Sequence, residues 1–219
     1  MEPVSNKLDD RIRIGFVRAY DIRIEQDFRF PDDRLDQLLE RRKQPLTEDE
    51  DGFRKACRDM MRIGSYKPTG RGKPASEYLL RSATEDNFPR INTAADINNY
   101  ISLAWLAPIS LWDTDRVPAD SWTFRPGRPD EEFVFNPSGQ TISLQDLVTG
   151  FAVRDNAETP LVTPVKDCQL TKTGTETRNI AAAVYFPAGW TGWPALEDIL
   201  AEFTELLGKV SDRTESGIF

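Results

Sequence analysis

Apolar residues recur along this chain with two periods. Ile12, Ile14 and Phe16 alternate with polar residues or glycine, and Ile22 and Ile24 resume the period of two, which predicts a strand bent near Arg18 to Tyr20. Asp32 and Asp33 precede Leu35, Leu38 and Leu39, the pattern of a short helix with an acidic first turn. Thr47 and Glu50 have capping-box spacing. Phe53, Ala56, Cys57, Met60 and Met61 follow at helical intervals, so an amphipathic helix is expected to end near Gly64. Pro74 suits the first position of another helix, with Tyr78, Leu79 and Ala83 facing inward. Thr93 is expected to cap a further helix, in which Ile97, Ile101 and Ala104 share one face.

The second half is richer in strand. Residues 122–124, 132–135, 160–165 and 179–186 are the expected strands, with a short helix around 144–147. Pro194 opens a last amphipathic helix with Leu196, Ile199, Leu200, Phe203 and Leu206 as its buried stripe. Helices mostly first and strands mostly second predict an α+β fold rather than a wound parallel sheet. No repeat, low-complexity block or long linker interrupts residues 1–219, so one domain is expected.

Composition narrows the chemistry. No apolar run approaches the roughly 18 residues that a membrane helix needs. The opening MEPVSNKLDDRIR lacks an apolar core segment, so no secretory signal is expected. Cys57 and Cys168 match no metal or redox spacing, which fits a reduced, cytoplasmic setting. The chain has no histidine, which removes His-based triads, His general bases and His-ligated metals. Its formal net charge of −8 makes it a poor non-specific binder of nucleic acid, so any RNA contact must be local. The densest basic patch is KPTGRGK, Lys67 to Lys73, followed by Arg81 and Arg90.

That patch does not meet the phosphate-loop pattern, because Lys67 stands where a glycine is needed and Pro74 where Ser or Thr is needed. A flexible basic loop and a local phosphate contact both remain open for it. Asp113 and Asp115 have two readings, a hard-cation pair or a turn device, and the turn is the commoner use. Asn98 and Asn99 point about 100° apart on a helix. A buried amide must satisfy both its carbonyl and its NH₂, so each either bonds a nearby loop or faces a polar pocket. The segment DCQLTKTGTETRNI, Asp167 to Ile180, is either a solvated hairpin or a loop whose hydroxyls and N–H groups line a site.

The segment RINTAADINNYISLAWLAPISLWDTDRV resembles a signature of the editing domain in the β-subunit of phenylalanyl-tRNA synthetase. After a leading Arg90, the residues Ile91, Asn92, Asp96, Asn99, Tyr100, Leu103, Pro108, Asp113 and Asp115 carry the likeness. The later TETRNIAAAV resembles the T-x-N-[IV] segment that ends the editing loop. The run SYKPTGRGKPASEYLLR looks like free-standing versions of the domain, and the resemblance covers nearly the whole chain. It implies a single α+β domain over residues 1–219, with a barrel-like or mixed-sheet core flanked by helices. It also implies hydrolysis of the ester that links tyrosine wrongly to tRNA for phenylalanine, acting in trans on the 3′ aminoacyl end. No cofactor and no metal are implied, and a complete phenylalanine–tRNA ligase is not expected in this chain. The chain departs from the pattern at three places. Ser110 stands where the family carries a His, Gln169 falls near a Glu that reads the tyrosine hydroxyl, and Asn98 replaces a Thr. These departures leave the amino acid specificity open.

An aminoacyl ester is already activated, so its hydrolysis needs a positioned water and oxyanion donors more than a strong base. The expected site has Asn98, Asn99 and Ser110 on one side and Gln169, Thr171 and Thr173 opposite. Arg71, Lys73 and Arg90 are expected at the tRNA terminus. The alternative is a non-catalytic module that binds an amino acid, a small metabolite or RNA in the same pocket. A third reading is a structural or protein-interaction role, which a filled core between the two signature segments would favour.

Overall fold

A computed structural model describes residues 2–219. In chain order they form strands β1 (Val4–Asn6) and β2 (Ile12–Tyr20), then helices α1 (Arg34–Arg42), α2 (Glu48–Met60), α3 (Ala75–Thr84) and α4 (Thr93–Trp105). Strands β3 (Ile109–Asp113), β4 (Ser121–Pro126), β5 (Glu132–Val134), β6 (Thr141–Ser143), β7 (Val148–Arg154), β8 (Ala157–Val162) and β9 (Ile180–Pro187) follow. Helix α5 (Leu196–Gly208) and strand β10 (Arg213–Ile218) complete them.

The strands make one antiparallel sheet in the order β10-β2-β9-β3 and one mixed sheet in the order β1-β4-β7-β8, with β5 and β6 as a separate hairpin. The fold is therefore α+β with a mixed-sheet core, as expected. The sheets stay open, and no closed barrel forms among the described residues. Aromatic rings join the two sheets. Phe16 of β2 lies 5.6 Å from Trp112 of β3, 6.1 Å from Trp122 and 6.3 Å from Phe124 of β4. Helices α2, α4 and α5 pack against the first sheet. Gly15 lets α5 come close, since a Cβ there would stand 2.9 Å from the side chains of both Leu196 and Leu200.

The burial of β2 and β9 explains one difference from expectation. All eight residues of β9 are buried, and β2 is buried on both faces. A strand covered on both sides shows no clean alternation. Thus β2 runs unbroken through Arg18 to Tyr20, without the expected bend, and pairs with β9 from Ile12 to Ala19.

Helix α2 carries the expected capping box between Thr47 and Glu50, and all five residues of the expected α5 stripe are buried. Helix α4 is capped by Asn92 instead of Thr93. The Asn92 side chain accepts from Ala95 N, while the Thr93 hydroxyl is taken up by the Glu25 backbone. Residues 144–147 form a turn with Asp146 at φ 60° rather than a helix. Tyr78 faces outward, 65% exposed, while Leu79 and Ala83 are buried.

Helix α4 ends on a buried ion pair. Arg42 donates to the carbonyls of Leu103 and Ala104, and its other nitrogen bonds Glu50 at 2.6 Å. One guanidinium thus satisfies carbonyls that the last turn of a helix leaves open.

Candidate functional site

The two signature segments meet side by side. Asp113, at the end of β3, accepts Asp115 N and Arg116 N through Oδ1 and the Thr177 hydroxyl through Oδ2. Asp115 accepts the backbone N–H of Arg178 and of Asn179 at 2.8 and 2.9 Å, and the Asn179 side-chain amide at 2.6 Å. Burial alone would raise the Asp115 carboxyl, but the Asn179 amide and the two N–H donors outweigh it and hold it below the usual range. The D-x-D pair is therefore a clamp on the T-x-N segment, and its oxygens are occupied by donors. At the other end of the loop, Thr173 bonds Asn92, the cap of α4, through its carbonyl and hydroxyl. No group of His, Cys, Asp and Glu suited to a metal ion occurs among the described residues.

Ser110 is fully buried on β3. Its hydroxyl donates to the Thr163 carbonyl at 2.8 Å and lies 3.1 Å from the Tyr185 hydroxyl. A serine has one proton to give, and a carbonyl can only accept, so Tyr185 is the donor in the second bond. Thr163 opens a tight turn in which its Oγ1 accepts from Val165 N and Lys166 N. The next carbonyl, of Pro164, accepts from Ala75 N at the start of α3. Ser110 thus anchors, through Thr163, the turn on which α3 begins.

Asp167 follows this turn. Its Oδ2 accepts from Leu111 N at 3.3 Å, and its Oδ1 is closed to solvent with no partner among the described residues. Burial of the carboxyl raises its pKa, against the pull of the Lys172 ammonium and the Leu111 N–H. Burial likewise raises the Tyr185 phenol.

The other expected site residues are spread over this neighbourhood. Asn98 is buried with its Oδ1 unpartnered among the described residues, and its NH₂ reaches only Asn99 Oδ1 at 3.5 Å. Asn99 and Gln169 are half-buried. Thr171 is buried and closes a local turn onto Cys168 O. Arg90 donates to Asp96 and to the Phe28 carbonyl, so its guanidinium is tied to the entry of α4. No hydrogen bond joins Asn98 or Asn99 to Ser110 or to the Gln169–Thr171 turn among the described residues.

Arg71 and Lys73 line a cleft of about 780 Å³, together with Arg54, Tyr78, Arg81 and Lys166. Lys166 and Tyr78 escaped the sequence reading. Lys166 is remote in sequence from the basic patch, and Tyr78 fell on the helical face expected to be buried.

The B3/4 domain family model matches residues 63–189, more than half of the chain. The chain belongs to the B3/4 domain family. This is the domain type of the phenylalanyl-tRNA synthetase β-subunit. The matched span of the B3/4 domain contains the clamp, the Ser110 cluster and every expected site residue. A solved N-terminal fragment of the phenylalanyl-tRNA synthetase β-subunit from Pyrococcus horikoshii is similar at 10% identity and a TM-score of 0.40, over 99% of this chain and 50% of that one. The chain therefore spans about half the length of that fragment. No curated protein sequence matches it. No helix among the described residues is long and apolar enough to cross a membrane.

Proposed function

We propose that residues 1–219 act as a single editing-type domain that binds the 3′ aminoacyl end of tRNA and hydrolyses a misplaced aminoacyl ester in trans, without a metal or cofactor. The observation that carries this reading is the B3/4 match, which holds in one span the cationic cleft of Arg71 and Lys73 and the loop bearing Gln169, Thr171 and Thr173. In this reading Asn98, Asn99 and Gln169 are the polar groups that meet the substrate. Backbone N–H groups of Gln169, Leu170 and Thr173 supply oxyanion donors, those of Thr171 and Lys172 being used within the turn, and Thr173 fixes that segment to α4. Ser110 and Thr171, whose hydroxyls are engaged by protein, act as positioning residues. Arg90 orders the entry of α4 beside the RNA end. The test is release of amino acid from a panel of mischarged tRNAs. No release above background from any of them would sink the enzymatic reading.

A second reading is a binding module without turnover. It is favoured by the burial of Ser110, which has neither a free proton nor access to solvent. Asn99→Ala separates the two readings. An editing enzyme loses deacylation, whereas a module shows calorimetric ligand binding that the substitution weakens and no turnover in either form.

A further inference from the structure

The cleft beside α3 gathers positive charge in a chain whose net charge is −8. Not all of that charge is available. Arg54 is held by Asp51 and Glu77, and Arg81 by Glu85. Glu77, a carboxylate on the cleft wall, is already bound by Arg54 and Arg58. Arg71, Lys73 and Lys166 form no ion pair among the described residues. Lys166 rests 3.5 Å from the centre of the Phe135 ring, and burial together with the nearby Arg71 lowers the pKa of its ammonium. Two cations that repel one another without a counterion are stabilised by an anion placed between them.

The backbone carrying these cations is ordered before any ligand arrives. The Tyr66 hydroxyl donates to Gly72 O at 2.7 Å, and Ala75 N donates to Pro164 O, which ties α3 to the turn bearing Lys166. Pro74, Leu80 and Val165 supply apolar wall to the cleft, and Tyr78 offers an exposed ring there. The volume is within the range of small-molecule sites.

We propose that this cleft binds one nucleotide, its phosphate between Arg71, Lys73 and Lys166 and its base on the Tyr78 ring. Phosphate gives the two free cation types a dense anion, and a base gives the exposed ring a stacking partner. The nucleotide is either the end of a single-stranded RNA or a free mononucleotide. The RNA-end form of this inference rests on the reading proposed above, and the free-nucleotide form does not.

The test uses the full chain and three probes in calorimetry or anisotropy: an RNA oligonucleotide ending in CCA, AMP, and a polyglutamate peptide. Binding of the RNA weakened about tenfold or more by Tyr78→Ala, by Arg71→Gln and by Lys166→Gln, but kept by Tyr78→Phe, supports the RNA end. AMP binding as tight as the RNA, with the same dependence, supports the cleft with a free nucleotide as ligand. Peptide binding without nucleotide binding, nucleotide binding that ignores all the variants, or no binding at all overturns the proposal. Thermal unfolding checks that each variant is folded, and Lys73→Gln is the substitute for any that is not. Cleft-dependent nucleotide binding without deacylation defeats only the enzymatic reading. Deacylation with an unchanged KM in the cleft variants defeats only this inference.

Discussion

Asp113 and Thr177, 64 residues apart, share a hydrogen bond of 2.5 Å between Oδ2 and Oγ1. Two sequence segments recognisable separately are thereby one structural unit. Asp113 also gathers two backbone N–H groups, so Asp113→Ala is expected to cost about 3 kcal/mol, in the range of charge-assisted bonds. Thr177→Val should cost about 1–2 kcal/mol, because Gly174 N then loses its acceptor as well. Urea unfolding of both single variants and the double variant measures the coupling. We expect a coupling of at least about 0.5 kcal/mol, the lower end for contacting residues, and strict additivity would refute the clamp.

The Arg42–Glu50 pair predicts both a magnitude and a pH profile. Arg42→Met is expected to lose about 3 kcal/mol, since it leaves the buried Glu50 carboxylate only the exposed Arg41 as its cation and uncaps α4. Burial alone would raise the Glu50 carboxyl, but the Thr47 N–H and the guanidinium groups of Arg42 and Arg41 outweigh it, so its pKa is lowered. A lowered folded value means that the stabilisation is present above the ordinary Glu value of 4.5 and is lost as pH falls through the folded one. Thermal unfolding from pH 7 to pH 3 should therefore show a steeper acid loss for the native chain than for Glu50→Gln. Parallel curves would contradict it.

Ser110 and Tyr185 are expected to respond unequally. Ser110→Ala leaves both the Tyr185 hydroxyl and the Thr163 carbonyl without their partner, a loss of about 1–3 kcal/mol. Tyr185→Phe leaves the Ser110–Thr163 bond intact and should cost about 1 kcal/mol or less. Chemical denaturation of the two variants checks the order, and the reverse order would mean that the hydroxyl directions are wrongly assigned.

Asp167 has the opposite linkage to Glu50. Its folded pKa is raised by burial, so the folded chain binds that proton more tightly than the unfolded chain does. Stability from this group is greatest below the ordinary Asp value of 3.8 and falls as pH rises through the raised folded value. Relative to Asp167→Asn, the native chain should lose ground on going from acid to neutral pH. A difference in unfolding free energy that stays flat over that interval would show that the carboxyl is not enclosed in solution.

Local chemistry made some parts of this protein legible in advance. The Thr47–Glu50 box and the stripe from Leu196 to Leu206 were readable because capping and helical period involve residues within a few positions of one another. The strand β9 was readable to within a residue, because an apolar run of that length with β-branched and aromatic residues suits a buried strand. Strands β3 and β10 were not, since each owes its state to a neighbour distant in the chain. β3 is held by β9, and β10 by β2.

The same division runs through the candidate site. The sequence by itself determined that histidine chemistry is absent, that the basic residues cluster at Lys67 to Lys73, and that D-x-D and T-x-N segments exist. Only the tertiary structure decided that those segments bind each other, that Ser110 is enclosed by Thr163 and Tyr185, and that Lys166 joins Arg71 and Lys73. The physical reason is reach. Periodicity and capping act over a few residues, whereas a side chain's hydrogen-bond partner and the charge facing it are set by strand register, which brings together groups that no local pattern connects.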